Sequence, residues 1–180
     1  VVIGSCTNGR LKDLQEAARY YALGAENGDA VAQCNLAWFY LNGTGVQKNA
    51  EKAFELFAKA ADQGNLRGIY NVALCYDKGD GVHKDRVKAV EWYRKAAAQN
   101  HAGALYKMGE FTERGLGGLT QDPVKARDYY ERAAGHGSEE AQKALDRLGG
   151  KPDPEPQPEP GKPEGEDGKP KGGFFKKFFK

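Results

Sequence analysis

One period dominates this sequence and leaves few folds open to it. The stretch AQCNLAWFYLNGTGVQKNAEKAFELFAKAADQGN, from Ala32, aligns without a gap to GIYNVALCYDKGDGVHKDRVKAVEWYRKAAAQNH, which starts 36 residues later at Gly68. A third copy, ALYKMGEFTERGLGGLTQDPVKARDYYERAAGHGS from Ala104, carries one extra residue in its turn. Matching columns then appear: Gly43/Gly79/Gly115, Gly45/Gly81/Gly117, Ala53/Ala89/Ala126 and the alanine pairs at 60–61, 96–97 and 133–134. AQKAL, from Ala141, opens a fourth copy that stops within its first helix.

Each copy reads as helix, turn, helix. Leu36, Phe39 and Tyr40 have the i, i+3, i+4 spacing of one helical face. The Gly-x-Gly pair ends that helix by supplying positive φ without a Cβ penalty. The second helix starts at Asn49, Asp85 or Asp122, side chains that accept otherwise unpaired amide hydrogens, and Pro123 follows its cap where a proline costs nothing. It ends near Gly64, Asn100 and Gly137, residues that tolerate the left-handed conformation. No unit can bury its apolar face alone, so the copies must stack. The fold expected is all-α, an α-solenoid of repeats about 36 residues long.

The pattern A-x-x-x-L-[AG]-x-x-Y-x-x-G-x-G-V-x-x-D-x-x-K-A-x-x-[WY]-[YF]-x-x-A-A, recurring in register over residues 9–148, resembles the Sel1-like repeat (SLR) family, relatives of the tetratricopeptide repeat. The resemblance implies a right-handed superhelix of helix pairs that binds proteins or peptides and has no chemistry of its own. Some secreted members carry a disulfide within each repeat. Here Cys34 and Cys75 fall in different columns, too far apart to bridge, and both are expected to act as small apolar side chains in the interior.

The same register extends toward the N-terminus, with Gly9 under Gly45, Asp13 under Asn49, Ala17 under Ala53 and Gly28 under Gly64. Residues 9–29 are therefore expected to supply the turn and second helix of a repeat, after an apolar segment 1–8. That segment carries two further resemblances. IGSCTNGR followed by LKDLQEAA is similar to a signature of the aconitase and isopropylmalate dehydratase family, in which the cysteine matching Cys6 is one of three ligands to an iron–sulfur cluster. The other two ligands come from a CxxC, which this sequence lacks, and one thiolate cannot hold a cubane. VVIGSC also resembles the end of a bacterial lipoprotein signal, with Cys6 as the acylated residue; the alternative is an apolar cap over the open end of the solenoid. Periplasm, envelope and cytoplasm all remain open.

Columns that repeat serve the scaffold, and columns that vary are free for recognition. Tyr20, Leu56, Trp92 and Tyr129 share a column of large apolar residues, which places Trp92 in the core. Trp38 differs, since its column continues as Leu74 and Glu110. By analogy with the tetratricopeptide repeat, that position faces the concave groove, alongside Val31 and Arg67, then Cys34, Tyr70 and Tyr106, then Leu41, Asp77 and Glu113. An exposed Trp flanked by tyrosines and an Arg has the composition of a binding hot spot; the competing role for Trp38 is packing on the neighbouring first helix. The mixed charge of this set suits a protein or peptide ligand.

Catalytic residues, metal ligands and cofactors are not expected. His83, His101 and His136 fall in or near turns and helix ends, with no Cys or carboxylate at metal-ligand spacing, and the columns of His83 and His101 look solvated. The GxG pairs follow a helix where a dinucleotide fingerprint needs a strand. A formal net charge of +2 is too small for a nucleic-acid surface.

Seven of the eight prolines lie after residue 151. Residues 149–173, rich in Pro, Glu, Lys and Gly, are expected to form a disordered, extended linker with nothing apolar to bury. The chain then ends on FFKKFFK, whose helical projection puts Phe174, Phe175 and Phe178 on one side and Lys176, Lys177 and Lys180 on the other, with Phe179 beside them. Such a tip suits weak contact with an anionic membrane surface, at about 1 kcal/mol per lysine, or docking on a partner.

Overall fold

The computed structural model describes residues 5–149, with side chains from Leu11 onward. The linker, the FFKKFFK tip, Val1–Gly4 and the Cys6 side chain lie outside the described residues. Those described form eight helices and no strand: α1 (Ser5–Glu26), α2 (Ala30–Asn42), α3 (Ala50–Asp62), α4 (Leu66–Lys78), α5 (Arg86–Ala98), α6 (Ala102–Arg114), α7 (Pro123–Gly135) and α8 (Glu139–Leu148). Each helix packs on the next in sequence, and α2 also touches α4. Neighbours run antiparallel, so the start of α2 meets the end of α3, where Gln63 Nε2 donates to Gln33 Oε1 at 2.8 Å. The result is the expected stack, with even-numbered helices in one layer and odd-numbered ones in the other.

The local punctuation follows the sequence. Gly43, Gly79 and Gly115 end α2, α4 and α6 with φ of 70°, 87° and 64°. Asn49, Asp85 and Asp122 cap α3, α5 and α7 through their side-chain oxygens. Their backbone N–H groups also reach back across the turn to the carbonyls of Tyr40, Tyr76 and Thr112, at 2.9, 2.8 and 3.0 Å. These are column-equivalent residues, so each turn is closed by the same latch.

The second glycine of each turn makes the contact between repeats. Gly45, Gly81 and Gly117 all have positive φ, at 67°, 70° and 61°. A Cβ on Gly45 would stand 2.6 Å from the Leu14 carbonyl oxygen, one on Gly117 2.5 Å from that of Arg86, and one on Gly81 would collide with that of Ala50. Leu14, Ala50 and Arg86 are themselves 36 residues apart. Ala53, Ala89, Ala126, Ala60, Ala96 and Ala133 are fully buried, letting the helices close on one another.

Three expectations are corrected. Gly9 makes no turn and Asp13 caps nothing, because α1 runs unbroken from Ser5 through both. The aromatic core column is one residue further along than expected. Phe57, Tyr93 and Tyr130 are at most 1% exposed, whereas in the Trp92 column only Leu56 is buried; Trp92 is half-buried, with the Lys95 ammonium 4.0 Å from its ring centroid. His101 is not solvated. It is the N-cap of α6, its Nδ1 accepting the Ala104 N–H at 3.2 Å, and its ring stacks on Tyr70 at 4.3 Å.

Two outcomes test these arguments. Gly64 and Gly81 both have positive φ, but a Cβ on Gly64 meets nothing. In denaturant titrations Gly64→Ala is expected to cost about 1 kcal/mol, the left-handed penalty alone, and Gly81→Ala at least ~3 kcal/mol. Equal costs would refute the inter-repeat contact. For His101, desolvation holds the imidazole below its ordinary titration range, so the folded state favours the neutral ring whose Nδ1 can accept. The cap is intact above the ordinary histidine pKa of about 6.5 and is lost as pH falls from there through the lower folded value. Between pH 7.5 and 5 the chain is expected to lose about 1 kcal/mol more stability than a His101→Asn variant; thermal melts at the two pH values read the difference.

Candidate interaction groove

The residues expected to line a groove lie on the even-numbered helices, but not all at the same depth. Val31 (54% exposed), Trp38 (37%) and Arg67 are at the surface. Tyr70, Leu74, Asp77, Tyr106 and Glu110 are half-buried and form the next level down. Cys34 does not reach the surface: at 1% exposure it is part of the core, its Sγ 3.4 Å from Asn65 Oδ1. Burial pushes its thiol up to about 11 despite the Arg67 charge, and burial likewise pushes Cys75 up to about 12. Both are free and buried, as inert thiols should be.

One rule governs how the aromatic residues sit. In each repeat an aromatic ring on the even-numbered helix leans on the core ring of the following odd-numbered helix. Trp38 meets Phe57 edge-on at 6.1 Å, Tyr70 meets Tyr93 at 6.0 Å and Tyr106 meets Tyr130 at 5.8 Å. In the first repeat Cys34 occupies the tyrosine column, and Trp38 reaches the same core ring from one helical turn further along. The two sequence roles weighed for Trp38 therefore coincide, since one edge is packed and more than a third of the residue stays open. Tyr70 lies over Gly103, whose missing side chain leaves room for its ring: a Cβ there would stand 3.0 Å from the Tyr70 hydroxyl.

A cleft of about 510 Å³ lies on this face between α6 and α8. Tyr106 and Glu110 line it, joined by Glu113, the Tyr130 ring below, and Glu140, Lys143 and Arg147 from α8. Glu113 is its fixed point: its Oε2 accepts from the Tyr130 hydroxyl at 2.7 Å and from Arg147 Nη2 at 2.8 Å. The Arg147 hydrogen bond, helped by the Tyr130 hydroxyl and opposed by burial, holds the Glu113 carboxyl below its ordinary range. Glu110 pairs with Lys107 at 2.6 Å. One repeat earlier, Asp77 stands in the Glu113 column, one methylene shorter, and engages Arg86 Nε at 3.5 Å. The Tyr93 hydroxyl, which corresponds to that of Tyr130, is left buried without a hydrogen-bond partner.

The contribution of α8 is missed by the sequence reading, though the signal is present. Carrying the groove columns across the one-residue insertion places Glu140 under Gly103, Lys143 under Tyr106 and Arg147 under Glu110. The opposite side of α8 is polar. Gln142 and Asp146 stand exposed in the columns where Leu105 and Gly109 are buried, so that face is suited to water. Among the described residues, no group of three His, Cys, Asp or Glu side chains is placed to hold a metal ion, and no helix is long and apolar enough to cross a membrane.

Comparison with known proteins agrees with the architecture. No curated protein matches the sequence. Among solved structures, a Sel1 repeat protein from Oxalobacter formigenes is 34% identical with a TM-score of 0.70, over 79% of this chain and 58% of that one. The protective antigen c5321 of uropathogenic Escherichia coli, which displays an SLR fold, is 29% identical with a TM-score of 0.71, over 75% of this chain and 29% of that one. Helicobacter pylori cysteine rich protein B is 26% identical with a TM-score of 0.58, over 75% and 96% of the two chains. The chain thus spans less than two thirds of the first two. The Sel1 repeat profile matches four successive segments, residues 4–29, 30–65, 66–101 and 102–138, the last three each being one helix pair of this fold, and the chain belongs to the Sel1 repeat family.

Proposed function

We propose that the face built by α2, α4, α6 and α8 binds a peptide or an extended segment of a protein, and that the chain is an adaptor without chemistry of its own. Sel1 repeat proteins commonly serve as protein-interaction scaffolds. The observation that carries the reading here is the rising sequence of aromatic side chains, Trp38, Tyr70 and Tyr106, each rigidly backed by a core ring and each partly open. Aromatics held in one rotamer lose little entropy on binding, and they anchor most interface energy. Two pairs of charges around them are matched within the face, Lys107 with Glu110 and Arg147 with Glu113. Specificity then comes from hydrogen bonding to the paired groups and from the spacing of the aromatics, with little long-range steering.

A phage-displayed random peptide library panned against the chain supplies defined probes. Peptides selected in this way are expected to lose at least about tenfold in affinity, roughly 1.4 kcal/mol, to Trp38→Ala or Tyr106→Ala variants whose melting curves remain cooperative. Selected peptides that bind both variants as tightly as the parent chain would refute the groove.

A further inference from the structure

Three columns of the array, one on each of three successive helices, change their chemistry together from repeat to repeat. In the first repeat they hold Leu41, Phe57 and Leu74, in the second Asp77, Tyr93 and Glu110, and in the third Glu113, Tyr130 and Arg147. The third set is closed on itself, since Glu113 Oε2 accepts from both the Tyr130 hydroxyl and Arg147 Nη2. The first is hydrocarbon throughout and asks for no polar partner. The second keeps the hydroxyl and one carboxylate, but where the third carries a guanidinium it carries another carboxylate, Glu110. Glu110 turns to Lys107 on its own helix at 2.6 Å, and Asp77 meets Arg86 only through Nε at 3.5 Å. Tyr93 is fully buried, and its hydroxyl has no hydrogen-bond partner in the protein. Burial, with the Asp77 and Glu110 carboxylates close by, pushes that hydroxyl far above its ordinary range. An ionised carboxylate offers about four acceptor positions, so each acid keeps unused capacity beside the one cation it meets.

We propose that the second repeat binds an arginine side chain of the groove's peptide ligand, its guanidinium bridging Asp77 and Glu110 above the Tyr93 hydroxyl. This rests on the groove reading given above and names a group its ligand must carry. The third repeat supplies the precedent, a guanidinium on a carboxylate that a core tyrosine holds. Asp77 is one methylene shorter than Glu113, so a guanidinium on it comes nearer to the tyrosine, whose oxygen can accept from it directly. That oxygen is covered in the free chain, and the half-buried side chains over it must part, a rotamer adjustment common at interfaces. Arginine suits the place better than lysine, because its planar fork has enough donors for two carboxylates and a hydroxyl. The Tyr70 ring, 6.0 Å from that of Tyr93, offers the flat cation an aromatic face. The cation to be displaced from Asp77 is Arg86, whose side chain is 45% exposed, and such a surface pair holds weakly.

The test uses the full chain and two probes of nearly the same shape, acetyl-arginine amide and its uncharged counterpart acetyl-citrulline amide, each followed through backbone amide shifts. The arginine probe is expected to give saturable shifts around Asp77 and Glu110, and the citrulline probe to bind at least about tenfold more weakly. Saturation is expected to disappear in Glu110→Arg, where the chain supplies the guanidinium as it does in the third repeat. It is expected to disappear equally in Asp77→Asn, which keeps the side chain's shape; cooperative melting checks that both variants fold. No saturation in the parent, equal binding of the two probes, or saturation that survives in both variants overturns the proposal. The groove is judged separately. Library-selected peptides that ignore Trp38→Ala while the arginine probe still saturates would remove the groove and keep the arginine seat. Peptides that need Trp38 but bind as tightly after arginine is exchanged for citrulline would remove the seat and keep the groove.

Discussion

The pitch of this array is set by a backbone contact that a missing side chain makes possible. The second glycine of each turn lies directly on a carbonyl of the odd-numbered helix in the preceding repeat, Gly45 on Leu14, Gly81 on Ala50 and Gly117 on Arg86. The contact is made to main chain, so a leucine, an alanine and an arginine serve equally well beneath it. With that distance fixed, the buried alanine columns bring the helices within direct packing range, and the aromatic column Phe57/Tyr93/Tyr130 fills the space between layers. A solenoid gains stability from such nearest-neighbour terms, one interface at a time, so a defect at a single turn loosens one junction and leaves the others in register.

This division explains how much can be read from the sequence. Helix count, turn positions, caps and left-handed residues are all legible, because each depends on local chemistry that recurs in register. The core column is misplaced by one residue for a physical reason: Tyr20, Leu56, Trp92 and Tyr129 are as large and apolar as Tyr21, Phe57, Tyr93 and Tyr130, and only packing decides which neighbouring column points inward. His101 is misread because a histidine seldom caps a helix, although Asp29, Asn65 and Ser138, all good caps, fill its column. At the front of α1 the register argument demands a turn at Gly9, but one glycine without its Gly-x-Gly partner does not oblige a helix to stop. Cys34 is placed in the groove by its column, while its size lets the core close over it.

Within a frame this regular, departures from the repeat are where recognition can be sought. The first repeat exchanges its groove tyrosine for Cys34 and recovers the aromatic contact through Trp38, which moves the exposed ring along the face. The second shortens Glu113 to Asp77 and leaves the Tyr93 hydroxyl unpaired within the protein. The third has Thr112 where the first two have Tyr40 and Tyr76, and lengthens its turn by one residue. Three repeats with one backbone thus present three different surfaces. None of the exchanges touches the glycine contact or the alanine columns, so surface chemistry varies without altering the helix spacing.

Charge plays a correspondingly local part. No single sign prevails in the groove, where Arg67, Lys143 and Arg147 are interleaved with Asp77, Glu110, Glu113 and Glu140. The pair of Glu113 with Arg147 couples the last helix to the cleft it borders, since the same carboxylate also fixes the Tyr130 hydroxyl. An exposed ion pair alone contributes little, but this one orients a core tyrosine whose ring supports Tyr106. The geometry of the proposed recognition surface in the third repeat therefore depends on α8 staying docked. The last described helix is thus, on its inner side, part of the proposed site.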